Sequence, residues 1–117
     1  MPKLYVVATP IGNLEDITLR ALRILREVDF VICEDTRVTK KLLSRYEISK
    51  LLVSCHEHST PKVYEKIADM LAKGKSAAMV TDAGTPGISD PGARLLEFLW
   101  KNNSEVEISP IPGPSAL

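Results

Sequence analysis

The sequence alternates short apolar runs with amphipathic segments, and most of the apolar runs end in a loop that carries proline, glycine or acidic residues. A short continuous apolar run is typical of a parallel strand that is buried on both faces, whereas apolar residues three and four positions apart indicate a helix. Strict alternation of the two predicts right-handed crossovers and helices on both faces of the sheet. We therefore expect an α/β fold with a five-stranded, mainly parallel sheet, its strands at residues 4–8, 30–33, 51–55, 76–81 and 106–109, with the first strand central.

The segments between these strands also carry helix start and stop signals. Asp16 or Thr18 can cap the first helix, whose apolar residues form one stripe. Thr60 precedes a proline at the start of the third helix, and Gly74 is placed as a C-terminal glycine cap. Asp90 is a suitable N-cap for the fourth helix. Each helix is therefore expected to follow a strand directly, with its N-terminus at the carboxyl end of that strand.

The segment at residues 81–92 is the most unusual of the loops, because it holds three glycines, two prolines and two aspartates. Gly84 and Gly87 permit close approach of a ligand to bare backbone, and Pro86 and Pro91 reduce the conformational freedom that the loop loses on ordering. In open α/β sheets, ligands bind at the carboxyl ends of the strands. The segment therefore predicts a ligand-binding loop, although a rigid connection without a ligand is the alternative.

Composition limits the chain to one soluble domain. It has 117 residues, 44% hydrophobic and 26% charged, with a formal net charge of zero. A neutral chain has no overall basic field, so any contact with RNA requires a local patch or other parts of the protein. The apolar run near the N-terminus is too short for a signal peptide or a membrane span. Two cysteines without a CxxC pair favour a reducing, cytoplasmic compartment.

The last residues resemble an interrupted element. The segment 110–117 is a proline-rich and glycine-rich loop after a strand, and it ends in an apolar Ala-Leu pair that looks like the first turn of a helix. Such a pair needs something to pack against. We expect the chain to be a domain or fragment of a longer protein.

Known nucleotide-binding signatures do not occur. Neither GxGxxG nor GxxxxGK[ST] is present, so the usual dinucleotide and triphosphate sites are not supported. Loops rich in proline and glycine at four strand ends favour a ligand that is recognised by backbone donors and carbonyls. His56 and His58 alternate beside Cys55 and Glu57, but no second ligand cluster is evident, and we expect no metal site.

Four cations recur at helical spacing after the second strand: Arg37, Lys40, Lys41 and Arg45. A solvated helix face explains them, and a patch that contacts phosphate is the alternative. The residues alone do not decide between the two.

A series of motifs, taken together, resembles the tetrapyrrole methylase superfamily, and within it the branch that acts on small-subunit ribosomal RNA. The resemblance covers the whole chain in order. The motifs are PIGNL at 10–14, DITLRAL at 16–22, EDTR at 34–37, HEH at 56–58, DAGTPGISDPG at 82–92 and PGPSA at 112–116.

The resemblance implies transfer of a methyl group from S-adenosyl-L-methionine to the ribose 2′-oxygen of a cytidine in the decoding region of 16S rRNA. It also implies that this chain is similar to the N-terminal domain of a two-domain protein, which holds the donor in a cleft between this domain and a second α/β domain. Three sets of residues are carried over from the motifs, as follows. Donor binding is expected at Pro10, Gly12, Asn13, Asp82, Gly84, Thr85, Pro86, Ile88, Ser89, Pro112 and Gly113. RNA contacts are expected at Arg37, Lys40, Lys41, His56 and His58, and a general base among Glu34, Asp35 and Glu57.

Two other functions stay open. A member of the same superfamily that methylates a tetrapyrrole or another small molecule would share the glycine and proline framework. Alternatively, the chain by itself is an inactive fragment that forms half of a binding site or a dimer surface. For the rRNA enzyme we expect the small ribosomal subunit as partner, a homodimer as assembly, a cytoplasmic location and no contact with a membrane.

Overall fold

The computed structural model describes residues 2–9, 17–56, 59–82, 90–102 and 105–111. Strands and helices alternate throughout, as the sequence predicts. The elements are β1 (Lys3–Thr9), α1 (Leu19–Glu27), β2 (Phe30–Cys33), α2 (Thr36–Arg45), β3 (Leu51–Ser54), α3 (Pro61–Ala72), β4 (Ala77–Asp82), α4 (Asp90–Lys101) and β5 (Glu107–Ile111).

The five strands form one sheet in the order β3-β2-β4-β1-β5, and every neighbouring pair is parallel. The expectation of an α/β fold with a mainly parallel sheet is therefore confirmed. The expectation that β1 is the central strand is wrong, because β4 occupies the middle of the order and β1 lies between β4 and β5. Both strands are apolar and interior, so their composition does not tell one position from the other.

Two hydrophobic clusters divide the core between the two faces of the sheet. One cluster joins residues of α1 and α2 to Val7, Val31 and Ala78. The other joins residues of α3 and α4 to Leu4 and Ile32. Since adjacent residues of a strand point to opposite faces, α1 and α2 cover one face and α3 and α4 cover the other. This arrangement follows from right-handed crossovers that first run toward β3 and then back toward β5.

The helix ends agree in part with the local sequence signals. Asp90, which was predicted as the N-cap of α4, is its first helical residue, and Thr60 precedes α3 without a side-chain cap hydrogen bond. Thr18, and not Asp16, is the observed cap of α1, since its hydroxyl oxygen accepts the N–H of Ala21 at 3.1 Å. Asp16 lies outside the described residues. Gly74 follows α3 with φ of +90°, a conformation that L residues rarely adopt, so the predicted glycine cap is confirmed.

The last strand extends further than the sequence indicates. We expected a strand over 106–109 and a loop from Pro110, but β5 runs from Glu107 to Ile111 and pairs Pro110 with Val6. Proline lacks an N–H, which disfavours it inside a sheet. Within the described residues β5 pairs with β1 alone, and an edge strand tolerates a missing donor on its free side.

Candidate functional site

A change of direction in the sheet sets the position of the site. β1 and β4 are neighbours, but α1 leaves β1 on one face and α4 follows β4 on the other. Two adjacent strands whose helices depart to opposite faces leave a crevice at their carboxyl ends, and this topological switch point is where open α/β sheets bind ligands. β2 also neighbours β4, and α2 packs on the same face as α1, so the switch point lies at the carboxyl end of β4, at Asp82, with the ends of β1 and β2 on either side.

The three loops that were assigned to the donor start side by side at this edge. Thr9 is in register with Asp82, and Ile111 is in register with Val7, so β4, β1 and β5 end close together. The Thr9 hydroxyl also donates to the carbonyl of Thr81 at 3.0 Å, which fixes the ends of β1 and β4 against each other. Neighbouring strands are about 4.8 Å apart. One ligand can therefore reach the carboxyl ends of all three strands.

Most of the donor-binding candidates lie beyond these strand ends. Asp82 is the last residue of β4 and is at the switch point. The other candidates are outside the described residues, namely Pro10, Gly12, Asn13, Gly84, Thr85, Pro86, Ile88, Ser89, Pro112 and Gly113. Their assignment to the donor stays a prediction.

A second group of candidates lies at the same edge, after β2 and β3. Glu34 directly follows β2. The Ser54 hydroxyl at the end of β3 donates to the Glu34 carbonyl at 3.3 Å. The Cys55 N–H donates to the carbonyl of Cys33 at 2.8 Å, which continues the pairing of β2 with β3 beyond the last strand residue. The strand order thus separates the edge into a β4-β1-β5 part and a β2-β3 part, with β4 adjoining both.

A small cleft opens between the two parts. Its volume of about 10 Å³ leaves room for a single water molecule or hydroxyl group. Its walls come from the ends of β2 and β4, from the residue after β3 and from the first turn of α4. The lining residues are Ile32, Cys33, Glu34, Cys55, Met79, Val80, Thr81 and Gly92.

Both cysteines are free thiols, and both line this cleft. Burial raises the pKa of the Cys33 thiol, partly offset by a hydrogen bond with Thr39, and the charge of Asp35 raises it further. Burial also raises the pKa of Cys55, with smaller contributions in the same direction from Glu34 and Cys33. Both thiols are therefore protonated at neutral pH, and they give the cleft a weakly polar wall without charge.

Asp35 has a structural role in this geometry. Its backbone is extended, and its Oδ1 accepts the N–H of Arg37 at 2.9 Å, so Asp35 is the N-cap of α2. Glu34 is also exposed, but it borders the cleft. The two neighbouring carboxylates therefore differ in their surroundings, a distinction that the sequence did not make.

The cations of the EDTR motif and of the following helix are exposed. Arg37, Lys40 and Lys41 lie on the outer side of α2, whereas Leu42 and Leu43 are buried. Because α2 begins at the carboxyl edge, Arg37 lies closest to Glu34, and the two lysines follow one turn further along the helix. The predicted patch is thus continuous with the edge of the site.

Two hydrogen bonds join His56, the first residue of the HEH motif, to Ser59. The N–H of His56 donates to the Ser59 hydroxyl at 2.9 Å, and the N–H of Ser59 donates to the carbonyl of His56 at 2.9 Å. His56 is exposed. Glu57 and His58 are outside the described residues. Among the residues that are described, no group of three or more Cys, His, Asp or Glu side chains is arranged to hold a metal ion.

Seven of the eight cleft residues were not among the predicted site residues, and four of the seven contribute a thiol, a hydroxyl or bare backbone: Cys33, Cys55, Thr81 and Gly92. Each is at the end of a strand or at the start of a helix, which is the available signal in the sequence. Their convergence depends on β2, β4 and α4 being neighbours, and that is a property of strand order.

Within the described ranges, no helix is long and apolar enough to cross a membrane.

Comparison with known sequences identifies relatives over the whole chain. The family model described as Tetrapyrrole (Corrin/Porphyrin) Methylases matches residues 3–117. A protein of Thermotoga maritima named ribosomal RNA small subunit methyltransferase I is 54% identical over 117 residues, which are 100% of this chain and 52% of the relative. A protein of the same name from Borrelia garinii subsp. bavariensis is 52% identical over 97% of this chain and 50% of its own length. The chain thus spans about half the length of these relatives.

Solved structures share the fold at lower identity. A cobalt precorrin-4 methyltransferase matches with a TM-score of 0.72 and 21% identity, over 97% of this chain and 46% of that protein. A uroporphyrin-III-C-methyltransferase from Thermus thermophilus matches with a TM-score of 0.66 and 23% identity, over 98% of this chain and 49% of that protein. With the family model matching nearly every residue and the sheet shared with these structures, the chain belongs to the tetrapyrrole (corrin/porphyrin) methylase family.

Proposed function

We propose that this chain forms the donor-binding half of a methyltransferase that moves a methyl group from S-adenosyl-L-methionine to the ribose 2′-oxygen of a cytidine in 16S rRNA. Relatives that are 54% and 52% identical carry the name of a small-subunit rRNA methyltransferase, which supports RNA over a tetrapyrrole as the acceptor. Since the chain spans about half of their length, the reaction is assigned to the whole protein. A second domain, a homodimer and a cytoplasmic location belong to the same proposal.

The switch point fits the chemistry of this donor. S-adenosylmethionine carries an amino acid zwitterion, a cationic sulfonium and a neutral nucleoside, so backbone amides, carbonyls and a carboxylate suit it better than a lysine-rich phosphate site. Asp82 ends β4 at the crevice, and the two loops that begin after Thr9 and Ile111 start beside it. We assign the donor to these loops. When bound, the donor supplies an activated methyl group.

The acceptor belongs on the adjoining part of the edge, after β2 and β3. Glu34 borders the cleft, and the two thiols in its wall are uncharged. A ribose hydroxyl is a poor nucleophile, and a carboxylate that accepts its proton contributes typically 10²–10⁴-fold to the rate. We propose Glu34 as this base ahead of Asp35, because one oxygen of Asp35 already caps α2. Glu57 stays a further candidate from the HEH motif.

The observation that carries the proposal is that the β4-β1-β5 part and the β2-β3 part of the edge meet at β4. The motif after β2 and the loop after β4 come from distant parts of the sequence, but Glu34 and Thr81 line one cleft. Methyl transfer is a displacement between two bound partners, and alignment of the two can supply much of the acceleration. An edge that holds donor and acceptor on adjacent strands provides such alignment.

The test is a methyl-transfer assay with the full-length protein and radiolabelled donor. Small ribosomal subunits and a tetrapyrrole precursor are offered in parallel, and the labelled RNA is digested to nucleosides. We expect label in 2′-O-methylcytidine and none in the tetrapyrrole. Label in the tetrapyrrole alone, or on a base and not on ribose, would contradict the proposal.

The same assay tests the assignment of Glu34. Glu34→Gln is expected to lower the single-turnover rate by about 10²-fold or more while the donor still binds, because the amide cannot accept the proton. Glu65→Gln is the matched control, since Glu65 is exposed on α3 on the other face of the sheet. An undiminished rate in Glu34→Gln would transfer the role to another residue.

A further inference from the structure

The two faces of this electrically neutral chain differ in charge. α1 carries the sequence LRALRILRE, with three arginines and one glutamate. α2 carries TRVTKKLLSR, with two arginines, two lysines and no acidic residue. Both helices pack on the same face of the sheet. Cationic side chains thus dominate one face, although the chain as a whole has a net charge of zero.

The two helices of the opposite face carry equal numbers of cationic and acidic residues. α3 holds Lys62 and Lys66 against Glu65 and Asp69, and α4 holds two cations against two acids. Ion pairs bridge single turns there, with Lys73 Nζ at 3.0 Å from Asp69 Oδ2 and Lys101 Nζ at 2.7 Å from Glu97 Oε1. Such pairs on an exposed helix contribute little to stability, but they neutralise the local field. The charge difference is therefore a property of the faces and not of the whole surface.

The cations of α1 and α2 are accessible. Arg20, Arg23 and Arg26 are exposed on α1, as are Arg37, Lys40 and Lys41 on α2. Lys50 adds a further cation to this face, because its Nζ donates to the carbonyl of Arg26 at 2.8 Å, at the C-terminal end of α1. Leu19 and Val38, also exposed, lie in the first turns of the same helices.

The two helices connect this face to the carboxyl edge of the sheet, where the candidate site lies. Both helices begin at the carboxyl ends of their strands, and at 1.5 Å per residue each runs about 15 Å away from that edge. Arg37 is the last residue of the EDTR motif, and Arg26 is in the last turn of α1. A polyanion that enters the edge at Glu34 can continue along both helices.

We propose that the face formed by α1 and α2 binds the phosphate backbone of structured RNA flanking the methylated nucleotide. This inference rests on the proposed function and extends it, because it gives the direction in which the RNA leaves the site. Arginine and lysine side chains that contact phosphate supply affinity and register without reading sequence. The arginines of α1 are thereby assigned to RNA binding: Arg20 lies in the DITLRAL motif without a role so far, and Arg23 and Arg26 lie outside the motifs.

The test measures the salt dependence of binding between the full-length protein and small ribosomal subunits. Arg20→Gln/Arg23→Gln removes two charges from the cationic face, and Lys62→Gln/Lys66→Gln removes two from the opposite face. All four positions are exposed and helical, and glutamine is a good helix former. Each phosphate contact that is lost reduces the slope of log affinity against log salt by about 1.

For the arginine variant we expect a slope lower by about 2 and roughly tenfold weaker binding at moderate salt, with donor affinity unchanged. The lysine variant is expected to bind like the wild type. A wild-type slope in the arginine variant, or an equal loss in the lysine variant, would overturn the proposal. The methylation reaction itself is scored separately on the wild-type protein, so a failure of that activity is distinguishable from a failure of this face to bind RNA.

Discussion

Asp35 and Glu34 are adjacent acidic residues with different tasks. The Asp35 carboxylate satisfies the N–H of Arg37 at the start of α2, whereas Glu34 faces the cleft. The EDTR motif therefore combines a helix cap with a side chain that is available for chemistry. The same cap places Arg37, the first cation of α2, two residues after Asp35.

Removal of the cap is expected to reduce stability. Asp35→Ala should lower the free energy of unfolding by about 1 kcal/mol, because the Arg37 N–H loses its side-chain acceptor. Asp35→Asn should restore most of this loss, since asparagine is an equally good N-cap. Urea denaturation of the full-length protein measures both values. Equal stability of Asp35→Ala and the wild type would show that the cap is dispensable, and loss of methylation in a stable Asp35→Asn variant would return Asp35 to the candidates for the base.

The two buried thiols predict a pH dependence of stability. Burial raises the pKa of Cys33 and Cys55 above the ordinary value of a cysteine thiol, so the folded state holds these protons more tightly than the unfolded chain. Their contribution to stability is fully present below about pH 9 and is lost as the pH rises through the folded-state values. The denaturant midpoint should therefore fall less between pH 7 and pH 10 in Cys33→Ala/Cys55→Ala than in the wild type. An equal fall in both proteins would contradict this account.

At the scale of the elements, much of the fold could be predicted from the sequence. The apolar runs and cap residues gave five strands and four helices in the observed order, because local periodicity and capping are encoded within each segment. Pro110 was misplaced, since its tolerance in β5 depends on the strand being at the edge. Strand order depends on contacts between distant segments, and for that reason β4 and not β1 proved to be central.

The C-terminal end of α3 offers a test of local encoding. Gly74 has φ of +90°, and a Cβ added there would meet nothing within 4 Å. Gly74→Ala should therefore cost about 1 kcal/mol through backbone strain alone. Gly74→Asn should cost less, because asparagine tolerates positive φ better than alanine. Thermal denaturation would separate the two variants, and an alanine variant as stable as the wild type would contradict the strain argument.

At the scale of the whole molecule, the site depends on where the sheet changes direction. The motifs predicted a ligand edge, but only the strand order places the β4 end at the switch point and the β1 and β2 ends on either side of it. Likewise, the cations of α2 were visible in the sequence. That they form one surface with the arginines of α1 follows only from the packing of both helices on the same face of the sheet. The candidate residues after Thr9, Asp82 and Ile111 stay predictions.

The central claim is that the donor binds at the switch point where β4 ends. Calorimetric titration of S-adenosyl-L-methionine into the full-length protein tests it most directly, with Asp82→Asn compared to Asp69→Asn, an exposed control on α3. Loss of a charged hydrogen-bonding partner costs about 1.5–3 kcal/mol. We therefore expect Asp82→Asn to bind the donor at least about tenfold more weakly than the wild type, and Asp69→Asn to bind it equally well. Wild-type affinity in Asp82→Asn, or no binding by the folded wild-type protein, would contradict the account.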